Sequence, residues 1–115
     1  MSVHPITRQE LQSALESARP PIVVEALGAM DYDDAHLPGA VNLPHDQVDE
    51  LAAQVLPDTD APVVVYCSNT ACQNSVIASR RLVELGYTDV REYVEGKEDW
   101  VSAGLPVEQS ATAER

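Results

Sequence analysis

Apolar and polar positions along the chain alternate between helix-like and strand-like patterns. Thr7 is placed to cap a helix, and Glu10 three residues on completes a capping box. Leu11, Ala14, Leu15 and Ala18 follow at helical spacing, which predicts one apolar face to about Ser17. Pro20 and Pro21 end that helix, and residues 22–26 read as a buried strand. The acidic stretch from Met30 to Ala35 predicts one helical turn; His36-Leu37-Pro38-Gly39 is a turn and Ala40-Val41-Asn42-Leu43 a short strand. His45 or Asp46 can cap a helix carrying Val48, Leu51, Ala52 and Val55. Residues 62–66 are apolar on both faces, which suits the centre of a parallel sheet. A helix opening at Asn74 or Ser75, both read as caps, runs to Leu85, where Gly86 stops it. Val90 to Val94 form another strand, Glu95-Gly96 turns into a helix carrying Trp100 and Val101, and Gly104 ends it. Residues after Val107 read as frayed.

Strands alternating with helices predict an α/β fold with a mainly parallel sheet. Ligands in such folds bind beyond the carboxyl ends of the strands. Cys67 stands there, between the apolar strand at 62–66 and the polar loop Ser68-Asn69-Thr70-Ala71-Cys72-Gln73. Backbone N–H groups converging before a helix stabilise an anion, and the thiolate is the reactive form of cysteine. Two readings fit Cys67 at this point: a nucleophile, or a small apolar side chain closing a strand.

Composition narrows the setting. The 115 residues suffice for one domain, taken as 1–115 with a core at 5–107 and a tail at 108–115. No apolar run is long enough to span a membrane. The first residues lack the layout of a signal peptide, so a cytoplasmic protein is expected. Two cysteines do not make a disulfide framework. The formal net charge of −12 argues against nucleic acid and against anionic membranes as partners. It also sets a repulsive field against a small dianion, screened beyond roughly 10 Å at ordinary salt. Two Cys and three scattered His show no metal-ligand spacing.

Four segments together resemble the rhodanese-like superfamily, in particular its single-domain rhodaneses. His36-Leu37-Pro38-Gly39-Ala40-Val41-Asn42-Leu43-Pro44 is similar to the family's "H-I-P-G-A-I-N-I-P". Val63-Val64-Val65-Tyr66-Cys67 resembles the strand leading to the active cysteine, and Ser75 to Gly86 with Tyr87 the helix after it. Gly96-Lys97-Glu98-Asp99-Trp100 with Gly104-Leu105-Pro106-Val107 resembles the closing "G-G-x-x-x-W-x-x-x-G-x-P". The resemblance implies a twisted, mainly parallel five-stranded sheet flanked by helices on both faces. It implies a sulfurtransferase in which the Cys67 thiolate takes a sulfane sulfur from thiosulfate, a polysulfide or a protein persulfide and passes it to a thiol or protein acceptor. Residues 68–73 would cradle the persulfide, and neither metal nor organic cofactor is needed.

The departures from the family pattern carry information. Many single-domain rhodaneses have Cys, four residues, Arg and then Ser; the Arg position falls here on Cys72, and alignment on Ser75 makes the loop about two residues longer. No Arg or Lys lies between Cys67 and Ser79. A related phosphatase would need Arg at Gln73, and phosphate binds poorly without that cation. The family's "D-V-R" after the second strand is replaced by Glu25-Ala26, and its closing glycine pair is Glu95-Gly96. These losses disfavour thiosulfate and favour a neutral, persulfidic or protein-bound donor. Cys72 is open to two readings: a resolving thiol for a Cys67 persulfide, or a packing residue where the loop meets the helix. The first belongs to an alternative function, a persulfide carrier or thiol redox-sensing module. His36 reads as structural, His45 as a cap, and Trp100 and Tyr32 as packing; Arg80 and Arg81 lie too far along the helix to replace a loop Arg.

Overall fold

The computed structural model describes residues 3–109; residues 110–115 of the expected tail lie outside the described residues. Five strands form one all-parallel sheet, β1 (His4–Ile6), β2 (Ile22–Glu25), β3 (Val41–Asn42), β4 (Val63–Tyr66) and β5 (Val90–Tyr93), in the order β1-β5-β4-β2-β3. Helices α1 (Arg8–Leu15), α2 (Ala29–Asp34), α3 (Val48–Val55), α4 (Asn74–Glu84) and α5 (Gly96–Ser102) connect and cover them. The expected α/β sheet is present, with the Val-Val-Val-Tyr strand at its centre.

Two-residue periodicity divides β4 between two cores. Val63 and Val65 pack with Leu43, Val48, Leu56 and Leu82 under α3 and α4. Val64 and Tyr66 pack with Ile6, Leu11, Tyr93 and Trp100 under α1 and α5. All four β4 residues are therefore buried, which explains why its pattern does not alternate.

Local chemistry fixes several element ends as read. Thr7 Oγ1 accepts from the Glu10 N–H at 3.1 Å, and Glu10 accepts in return from the Thr7 N–H at 2.9 Å. Gly86, at φ +102°, closes α4; the Tyr87 N–H then reaches back to the Leu82 carbonyl. Trp100 donates to the Pro106 carbonyl, and Tyr32 stacks on His36, whose Nδ1 lies 2.8 Å from the Tyr32 carbonyl, so these three residues are structural as expected. Other ends differ from expectation. α1 stops at Leu15, leaving Ala18 exposed, because the Ser17 N–H and hydroxyl both bond back to the Ala14 carbonyl and tighten the last turn. α3 begins after Gln47, with no side-chain cap from His45 or Asp46. β1 has no counterpart in the sequence reading. Glu108, expected to be frayed, pairs both backbone groups with His36.

Candidate functional site

The site grows from the carboxyl end of β4, where the sheet hands the chain to α4. Cys67 follows Tyr66 and is 1% exposed. It continues the Val63–Val65 face, so its side chain lies on the α4 side of the sheet. The Cys67 sulfur is 3.2 Å from Ser75 Oγ and 3.4 Å from the Cys72 carbonyl oxygen, two acceptors for one S–H. Ser75 is also 1% exposed and donates its hydroxyl to Glu92 Oε2 at 2.6 Å. Ser75 was expected as a helix cap. The N-cap is Gln73 and makes no side-chain cap bond, so the Ser75 hydroxyl is left for the thiol and the carboxylate.

Loop 68–73 is shaped by its own side chains and by α5. Asn69 Oδ1 accepts from the Ala71 N–H at 2.9 Å, and the Asn69 carbonyl accepts from the Cys72 N–H at 3.1 Å. Those two amides are turned into the loop. Asn69 Nδ2 donates to Glu98, while the N–H groups of Lys97 and Glu98 donate to the carbonyls of Cys67 and Ser68. Ser68 and Asn69 are half-buried, whereas Thr70, Ala71 and Gln73 are exposed. Gly96 makes this close approach possible. It has φ +76°, and a Cβ there would sit 2.7–2.9 Å from backbone atoms of Cys67, Ser68 and Asn69. The family's glycine requirement at this position is thus a contact between α5 and the loop.

The two thiols differ. Burial pushes the Cys67 thiol above its ordinary range, and the contact with Cys72 adds to this, against a smaller opposing effect of Ser75. At Cys72 burial also raises the value, but hydrogen bonds from the Cys67 thiol, the backbone at Ser68 and Asn74 and the Ser68 hydroxyl together outweigh it and favour the thiolate. Backbone at Ser68 and Asn74 thus favours charge on the Cys72 sulfur, a ligand the chain itself supplies. Both cysteines are unbridged.

Beneath the loop lies a buried charge network. Glu25 is 0% exposed at the end of β2. It accepts from Tyr66 at 2.6 Å and from Lys97 at 3.2 Å and 3.3 Å, and Lys97 also donates to the Asp31 and Ala35 carbonyls. Burial raises the Glu25 carboxyl above the usual carboxylate range, with Tyr66 and Lys97 opposing. Lys97, which is near the site, is thereby committed to the core. Arg81 is paired with Asp49 and Glu84 on the surface. Beside the loop, at the carboxyl ends of β2 and β3, a crevice of about 330 Å³ is lined by Gly28, Asn42, His45, Gln47 and Asn74 among others. The sequence reading missed Glu92, Glu25 and Lys97; an available signal existed for Glu25, an acid closing an otherwise apolar strand, whereas Glu92 and Lys97 stand among polar residues.

The family model for the rhodanese-like domain matches residues 7–103. The chain belongs to the rhodanese-like family. It is 31% identical over 106 residues, 92% of its length, to the HTH-type transcriptional regulator Rv0324 of Mycobacterium tuberculosis, and covers 45% of that protein. It is 41% identical over 59 residues, 51% of its length, to the thiosulfate sulfurtransferase PspE of Escherichia coli, and covers 55% of that protein. The chain thus spans about half the length of each of these curated relatives. The crystal structure of the BH2092 protein from Bacillus halodurans superposes with a TM-score of 0.84 at 24% identity, over 97% of this chain and 81% of that one, and shows the shared fold. The relatives of this rhodanese-like chain thus include a sulfurtransferase and a transcriptional regulator. Among the described residues, no helix is long and apolar enough to cross a membrane.

Proposed function

We propose that this rhodanese-like chain is a sulfurtransferase domain working through a Cys67 persulfide. The reading is carried by one observation: a buried thiol at the carboxyl end of the central strand, hydrogen-bonded at the start of α4. In the first half-reaction the Cys67 thiolate attacks the outer sulfur of the donor. The bond from that sulfur to the donor breaks, and its electron pair leaves with the donor. In the second, an acceptor thiol or other thiophile attacks the same sulfur and Cys67 is released as thiolate. Residues 68–73 surround the persulfide. The loop has no cation, two of its amides are turned inward, and Lys97 is held by Glu25, so a polysulfide or protein persulfide serves better than thiosulfate. The proposal includes a cytoplasmic setting, since two cysteines make no disulfide framework. Cyanide as acceptor tests the reading, with the protein-free rate subtracted for each donor: wild type forms thiocyanate faster from polysulfide than from thiosulfate, and Cys67→Ser adds nothing to the protein-free rate with either. Turnover that survives Cys67→Ser refutes it.

A second reading rests on the contact between the two thiols and on the regulator among the relatives. In it the domain is a persulfide-sensing module. Cys72 thiolate attacks the inner sulfur of the Cys67 persulfide, the Cys67–Cys72 disulfide forms, and hydrosulfide leaves with the displaced electron pair. This predicts disulfide after a single sulfur is loaded, whereas a transferase holds a stable persulfide until an acceptor arrives.

A further inference from the structure

The arrangement behind Cys67 has more parts than a thiol in a loop. Glu92 lies on β5 two residues beyond Val90, hence on the same face, toward α4. The crossover from β4 through α4 to β5 brings it to Ser75, 17 positions away, at 2.6 Å. Ser75 has a single hydroxyl proton, and two groups adjoin it: the Glu92 carboxylate and the Cys67 sulfur at 3.2 Å. The carboxylate takes that proton, since a charge-assisted bond is roughly twice as strong as a neutral one. What Ser75 then offers to sulfur is a lone pair, which a thiol can use and a thiolate cannot.

We propose that Glu92 is a positioning residue acting on Cys67 through Ser75: by claiming the Ser75 hydroxyl proton it turns that oxygen's lone pair toward the sulfur and holds Cys67 at rest as a thiol. The proposal rests on Cys67 as the reacting group. Becoming a nucleophile requires the thiol proton to pass to solvent water and the Ser75 hydroxyl to swing from Glu92 to sulfur. Other charged groups nearby are accounted for. Arg80 and Glu84 on α4 line, with Glu92, a cavity of about 500 Å³ that Val3 and Pro5 close at the N-terminal end of the chain. On α5, Lys97 is committed to Glu25 and Glu98 to Asn69. Within the loop, Cys72 is the titratable neighbour of Cys67.

The test is an ultraviolet titration of the Cys67 thiolate in a Cys72→Ser background, which reads Cys67 whether or not the protein transfers sulfur. Glu92→Gln is expected to move the midpoint down by about one pH unit, the difference between a charge-assisted and a neutral bond. Alkylation at a fixed pH below the midpoint should quicken by about fivefold. Glu92→Ala, which leaves no competitor for the hydroxyl, should move the midpoint the same way. Adding Ser75→Ala should abolish most of the effect, because a purely Coulombic influence of Glu92 needs no hydroxyl. A midpoint that stays or rises in both Glu92 variants overturns the proposal, and so does an equal fall with Ser75 replaced.

Discussion

Cys67 and Cys72 are five residues apart and meet opposite surroundings. Cys67 is held by the sheet, buried at the end of β4 with its sulfur directed at Ser75. Cys72 is held by the loop, half-exposed, with backbone and hydroxyl groups favouring its charged form. Position at the carboxyl end of a central strand selects one thiol, and ease of ionisation favours the other. A strand end fixes where a sulfur sits; a loop of amides fixes which sulfur carries charge. In this chain the two are divided between two cysteines.

The comparison can be broken first at its foundation. Lys97→Met would leave the buried Glu25 without its cation, and losing one partner of such a pair typically costs about 3–5 kcal/mol. The pH dependence has a definite sign. The folded-state carboxyl of Glu25 is raised, so the folded protein binds this proton more readily than the unfolded chain. Stability assigned to Glu25 therefore falls as pH rises through the window above the ordinary carboxylate value. The Lys97→Met penalty should accordingly shrink on acidification, as the carboxyl takes up its proton. Denaturant midpoints at two pH values check this; a pH-independent penalty would show that Glu25 is not the cause.

Next in size is Gly96→Ala. Its Cβ would meet loop backbone at 2.7–2.9 Å from a left-handed conformation, and a loss of about 2 kcal/mol is expected. The strain falls on residues 67–69, so alkylation of Cys67 should change as well. Thermal unfolding and peptide mapping read the two effects separately.

A gentler probe compares the thiols in the wild type. Their alkylation rates should titrate on opposite sides of the free-thiol value of about 8.5, Cys72 below and Cys67 above. Peptide-resolved labelling across pH measures both at once. A Cys67 midpoint below that of Cys72 would reverse the comparison. The smallest effect belongs to the surface. Arg81→Ala removes exposed pairs with Asp49 and Glu84 and should cost no more than about 1 kcal/mol, with both thiol titrations unmoved.

What the sequence disclosed was local or carried by the family pattern. The Thr7–Glu10 box, the doubly buried β4 and the glycine stop of α4 each lie within a few residues, where spacing determines structure. Cys67 was legible because a strand, a polar loop and a helix follow in order. β1 was not, since three edge residues including Pro5 give no period and pair with β5 far along the chain. Glu92 and Ser75 meet only through a crossover, so no spacing rule joins them. Ser75 shows how a local rule fails: serine at a helix start is an ordinary cap, but here the thiol and carboxylate take its hydroxyl. The pairing of Lys97 with Glu25 was equally hidden, because a lysine in a surface-like helix start gave no sign of turning inward.

Intact-mass analysis after brief exposure to polysulfide tests the central claim most directly, on wild type, Cys67→Ser and Cys72→Ser. A gain of one sulfur atom is expected in wild type and Cys72→Ser, removed by cyanide, and none in Cys67→Ser. A sulfur that remains in Cys67→Ser and maps to Cys72, or no gain in any of the three, would contradict it.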